Sequence, residues 1–141
     1  MKLTGMSNLL KFVLICFTCV GASFANASEL SDLLKRSDHV LLMRHALAPG
    51  VGDPAGYKLD DCKTQRNLDS QGRAQAQKTG QWLRSQGVRD ALVFTSAWCR
   101  CKETAEKLAM GTPAHEISLN SFFDDMRQGP QSNAQLQKFI A

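Results

Sequence analysis

Hydrophobic and polar positions alternate along this chain in a way that predicts helices and short buried strands in turn. Leu30, Leu33 and Leu34 recur at helical spacing within residues 29–36, a short amphipathic helix. Val40, Leu41, Leu42 and Met43 then form a continuous apolar run that stops at Arg44-His45. Such a run predicts a strand buried on both faces, as in a parallel sheet. Polar residues at its C-terminal end stand where open α/β sheets place ligands. Residues 48–66 are rich in Gly, Pro and Asp and read as a long surface loop, of a length that is commonly functional.

Asp69 or Ser70 can cap a helix running to about Gln86, with Ala76, Thr79, Trp82 and Leu83 on its inner side and Gly87 at its end. Ala91 to Phe94 make a second short apolar strand that closes in Thr95-Ser96. Residues 97–110 predict a second helix, with Cys101, Ala105 and Leu108 on one face. Ile117 to Leu119 read as a third strand and residues 131–140 as a final helix. The succession of elements points to an α/β fold with a mainly parallel sheet.

One apolar run has another meaning. Residues 12–25 carry no charge and follow Lys2 and Lys11, and Ala25-Asn26-Ala27 fits a small-x-small cleavage pattern. The run is short for a bilayer span, which takes roughly 20 apolar residues. Residues 1–27 therefore read as a secretory signal peptide and residues 28–141 as one mature domain, periplasmic or secreted, with no stable membrane insertion once the leader is gone. Leader removal lowers the formal net charge from +4 to +2, since Lys2 and Lys11 leave with no acidic residue. That charge, without a basic cluster, argues against a nucleic-acid partner.

Three cysteines stay in the mature chain: Cys62, Cys99 and Cys101. In an oxidising compartment they predict one disulfide, from Cys62 to Cys101 or Cys99, plus one free thiol. A metal site is disfavoured, because no further Cys or His lies at ligand spacing from the Cys-x-Cys pair.

The candidate chemistry sits at the strand ends. A neutral histidine held in one tautomer can attack phosphorus, and an adjacent arginine can bind two phosphoryl oxygens at once. Arg44-His45 supplies both residue types after the first strand. Arg100 follows the second strand near a helix start, where free N–H groups favour anions. Two parallel strands ending on one side would bring Arg44, His45 and Arg100 together. Lys58, Lys63 and Arg66 read first as solvated loop charges, with contact to an anionic substrate as the alternative.

Three motifs in order carry a resemblance. Leu41-Leu42-Met43-Arg44-His45 resembles the strand and Arg-His signature of the histidine phosphatase (phosphoglycerate-mutase-like) superfamily, with Ala46 where that family usually has Gly. Residues 68–76, LDSQGRAQA, resemble its Leu-Thr-x-x-Gly-x-x-Gln-Ala helix start. Residues 94–105 resemble its Ser-x-x-x-Arg-x-x-x-Thr-Ala segment. The resemblance implies a three-layer α/β/α fold, His45 as a nucleophile forming a phosphohistidine, and Arg44 and Arg100 as ligands of the phosphoryl oxygens. It implies a phosphorylated small molecule as partner, phosphomonoester hydrolysis as reaction, and no metal or organic cofactor. The leaving oxygen needs a proton from a carboxylic acid. The Asp124-Asp125 pair is the best candidate, with Asp124 chosen and a pKa raised by burial or by its twin's charge; Asp53 is a remoter one.

The family also carries a second pocket histidine late in the chain, after an apolar strand. His39 and His115 read instead as surface or loop residues, so the chain is expected to be a C-terminally shortened member lacking its last strand or strands. That would impair catalysis and leave neighbouring strands with unpaired backbone groups.

Overall fold

The structure is a computed structural model and describes residues 31–141. The predicted leader lies outside the described residues. The chain divides into two compact units, Met1–His39 and Val40–Ala141. In the first, residues 31–34 are helical, and Asp38 accepts hydrogen bonds from Arg36 at 2.6 Å and contacts His39 Nδ1 at 2.8 Å.

The second unit is α/β. Its main helices are α1 (Ser70–Ser85), α2 (Cys99–Leu108) and α3 (Gly129–Ile140). The Asp69 carboxylate caps α1 by accepting the Gly72 N–H at 2.7 Å. At the other end Gly87 N–H reaches the Arg84 carbonyl at 2.9 Å and Val88 N–H the Leu83 carbonyl at 3.1 Å, which satisfies carbonyls that the helix leaves open. The buried face of α1 is Gly72, Ala76, Gly80 and Leu83. Trp82, expected inside, is 45% exposed. The reason is closeness: a Cβ on Gly80 would lie 2.0 Å from the Leu108 carbonyl oxygen, so α1 meets α2 through its smallest residues and leaves no room for an indole. Arg84 donates to the carbonyls of Leu108 (2.9 Å) and Ala109 (3.1 Å) at the C-terminus of α2, where a cation also suits the helix dipole. Arg73 and Glu103 join the two helices at 2.6 Å.

The sheet has two parallel strands, β1 (Phe94–Thr95) and β2 (Ala114–His115), with Phe94 opposite Ala114 and Thr95 opposite His115. Three strand expectations change here. The second strand lies three residues later than Ala91. The third is Ala114–His115, whereas Ile117–Leu119 is a 3-10 turn, because the Glu116 carboxylate accepts the Ser118 N–H at 2.9 Å and caps it locally. The apolar run of residues 40–43 joins no ladder among the described residues, and Val40, Leu41, Leu42 and Met43 are 60, 52, 58 and 46% exposed. A doubly covered strand needs a layer on each face, and no described element lies over this run. At the far end, α3 starts at Gly129, two residues earlier than expected, with Pro130 in its first turn. Phe139 packs edge-on against Phe94 at 4.9 Å.

Candidate active site

His45 is half-buried, and its Nδ1 lies 2.7 Å from the carbonyl oxygen of Ala46. A carbonyl only accepts, so Nδ1 carries the proton and Nε2 is left with a free lone pair. Burial lowers the imidazole pKa from its ordinary value, and the charges of Arg100, Arg44 and Arg66 push the same way, against the opposing Ala46 hydrogen bond. The ring is therefore favoured in its neutral form.

The turn after His45 is pinned from three sides. Thr104 Oγ1 accepts the Ala46 N–H at 3.0 Å and donates to the Arg100 carbonyl at 2.7 Å. Gln75 Oε1 accepts the Leu47 N–H at 2.8 Å. Arg66 donates Nη1 to the Ala48 carbonyl and Nε to that of Gly52 at 2.7 Å. Gly72 lies directly beneath this turn: a Cβ there would stand 2.0 Å from the Leu47 carbonyl oxygen. The helix-start motif thus holds the turn through Gly72 and Gln75, and the helix that carries Arg100 holds it through Thr104.

Arg100 is in the first turn of α2 and is 7% exposed. Its Nη1 donates to both oxygens of Asp53, at 2.8 and 3.0 Å, and lies 3.4 Å from the Arg66 carbonyl. The guanidinium carbon stands 6.0 Å from the centre of the Trp98 ring. Gln65 Oε1 accepts the Cys99 N–H at 3.0 Å, and Asn120 Oδ1 accepts the Ala97 N–H at 2.8 Å, so side chains from two other segments fix the approach to α2.

The disulfide joins Cys62 to Cys99, with Cα atoms 5.6 Å apart, and Cys101 is the free thiol. The alternative pairing of Cys62 with Cys101 does not occur. Two residues along a helix turn a side chain to nearly the opposite face, and Cys101 lines the cleft that contains His45, while Cys99 meets the loop.

That cleft has a volume of about 300 Å3, and Arg44, His45, Arg66, Arg100, Asp53 and Asp124 all line it, together with Trp98 and Phe123. Arg44 is exposed and makes no side-chain hydrogen bond among the described residues. Three guanidinium groups thus line one cleft with the imidazole, and Asp53 is ion-paired to one of them. Arg66 was read from the sequence as a solvated charge. Its place in the cleft follows from the loop folding back on α2, a contact that sequence spacing does not encode.

Asp124 accepts the Tyr57 hydroxyl at 2.7 Å, and this bond, with burial and the charge of Asp124, pushes the Tyr57 pKa up to about 12. Asp125 is engaged elsewhere: it caps the turn Met126–Gln128 and pairs with Arg127 at 2.7 Å, which holds its carboxyl below the ordinary range. Asp124 is itself exposed, so the burial expected around this pair is absent. Burial would raise the Asp53 carboxyl, but the Arg100 side chain and the Arg66 backbone N–H outweigh it and hold the group ionised, unsuited to giving up a proton. Neither His39 nor His115 lines the cleft. His115 lies on β2, exposed, with Nε2 3.4 Å from Asn120 Oδ1.

An Arg-His pair after the apolar run, a second arginine at a helix start and an imidazole with a fixed tautomer thus line one cleft. The chain belongs to the histidine phosphatase superfamily: the sequence model of its branch 1 matches residues 40–137. Comparison with curated proteins and with solved structures gave no match. Membership supports phosphatase- or mutase-like chemistry.

Proposed function

We propose that this chain is an exported phosphomonoester phosphatase working through a phosphohistidine on His45. The observation that carries this reading is the His45 ring, held by Ala46 through Nδ1 in a cleft it shares with Arg44, Arg66 and Arg100. Nε2 attacks phosphorus, the bond to the leaving oxygen breaks, and that oxygen takes a proton from Asp124. Water then gives a proton back to Asp124 as it attacks the phosphohistidine, Nε2 leaves, and inorganic phosphate is released. The arginines stabilise the charge on the equatorial oxygens throughout, the main contribution in phosphoryl transfer. The Cys62–Cys99 disulfide supports an oxidising compartment, and so does the leader-like start of the sequence.

A second reading is favoured by one observation: the described cleft holds a single histidine. A phosphate binder of the same fold needs no second imidazole. An enzyme without it is expected to be slower, by on the order of 10²–10³ for one missing donor. Purified protein is to be assayed with an aryl phosphate beside His45→Ala, with acid-labile phosphoenzyme trapped in parallel. Turnover and trapping that both vanish in the variant support the enzyme. Phosphate binding without turnover in either protein supports the binder.

A further inference from the structure

The phosphatase reading leaves Asp53 without a task, although it is among the most enclosed charged groups of the cleft. Its side chain is 6% exposed and that of Arg100 is 9% exposed. Every neighbour of its carboxylate is a donor. Oδ1 accepts from Arg100 Nη1 at 2.8 Å and from the Arg66 backbone N–H at 2.9 Å. Oδ2 accepts from Arg100 Nη1 at 3.0 Å and from Trp98 Nε1 at 3.0 Å. An amide of the same shape would have to turn an N–H toward one of these donors, so only a carboxylate satisfies all of them.

A second observation concerns the other side of Arg100. Its Nε is buried and has no hydrogen-bond partner among the described residues. A buried charged donor without an acceptor is unfavourable. With Nη1 taken by Asp53, the rest of the guanidinium remains for an oxyanion, and the neighbouring cleft is the place from which one would come. The loop that carries Asp53 is itself restrained, by Arg66 Nε on the Gly52 carbonyl and by the Cys62–Cys99 bridge to the start of α2.

We infer that Asp53 is a positioning residue: by engaging Nη1 of Arg100 it orients that guanidinium so that its remaining N–H groups meet the phosphoryl oxygens of a group bound at His45. The inference rests on the phosphate site of the proposed function, and it deepens that reading by giving the long loop a role in aligning the anion ligand.

The test compares wild-type protein, Asp53→Asn, Asp53→Glu and Leu83→Ala. Leu83 is buried on α1, away from the cleft, and its truncation serves as a loss of stability without loss of the clasp. Orthophosphate affinity is read directly by calorimetry and as competitive inhibition of aryl phosphate hydrolysis, with Tm recorded for each protein. Asp53→Asn is expected to weaken orthophosphate about 10-fold and to lower kcat/KM by on the order of 10². Asp53→Glu, which keeps an all-acceptor group on a longer stem, falls between it and wild type. Leu83→Ala lowers Tm and leaves orthophosphate affinity unchanged. Should Asp53→Asn not fold, the severalfold loss expected of Asp53→Glu carries the test. Orthophosphate bound by the Asp53 variants as tightly as by wild type, or more tightly, overturns the inference, while wild-type turnover keeps the phosphatase reading. A wild-type protein that binds orthophosphate without turnover, and loses that binding in Asp53→Asn, upholds the inference and removes the phosphatase. Wild-type protein that binds no orthophosphate overturns both.

Discussion

Thr104 Oγ1 accepts the backbone N–H of Ala46 at 3.0 Å, so α2 is hydrogen-bonded to the turn that fixes the His45 tautomer. Thr104→Val keeps the shape and removes the hydroxyl, leaving a buried N–H unsatisfied. It is expected to cost about 1–3 kcal/mol in urea unfolding. A small shift of that turn is expected to lower kcat/KM by on the order of 10². Thr104→Ser should restore most of both, and a Val variant with wild-type stability and rate would contradict the role.

Gly72 is packed against the same turn. An added Cβ would come within 2.0 Å of a backbone oxygen, which has no flexible end to yield. Gly72→Ala is therefore expected to destabilise by about 1–3 kcal/mol, the range of overpacked sites, despite the better helix propensity of Ala. Chemical denaturation decides it; a stabilised variant would show that the helix and the turn are not in this contact.

Reduction of the Cys62–Cys99 bridge releases a loop of sequence separation 37. Chain-entropy arguments put the loss at about 3–4 kcal/mol. The reduced protein should unfold at lower denaturant, with phosphate affinity falling as the loop loosens. Peptide mapping of native protein should find Cys101 alkylated and Cys62 linked to Cys99. A Cys62–Cys101 peptide would refute the pairing.

His45 should titrate below the ordinary imidazole value of about 6.5. The unfolded ring takes up its proton near that value and the folded ring only at lower pH. Stability from this group is therefore lost as pH falls through about 6.5 toward the folded pKa, and is unaffected above. Resolved imidazole resonances followed by NMR give the midpoint directly. Arg44→Gln removes one of the charges that lower it and should move it upward; an unchanged midpoint would place Arg44 outside the field of the ring.

The helices were the most legible part of the chain, because Asp69, Gly87 and the 3.6-residue spacing of small and apolar side chains are local signals. The cleft was legible through motif order: Arg44, His45 and Arg100 lie far apart in sequence and line one pocket. Trp82 misled because size suggested burial where closeness of two helices demanded glycine. Asp53 reads in the sequence only as a remoter acid and Arg66 as a loop charge, because only the fold-back of the loop onto α2 encloses them. The run at residues 40–43 has strand composition, but pairing depends on neighbours that composition cannot specify.

That run has a consequence for handling the protein. Four successive exposed apolar residues that join no ladder among the described residues are a template for intermolecular β-pairing. Self-association should thus rise with protein concentration and grow β-rich by infrared absorption. A lysine at Leu42 should suppress it while leaving the cleft intact, since charge within such a segment acts as a gatekeeper.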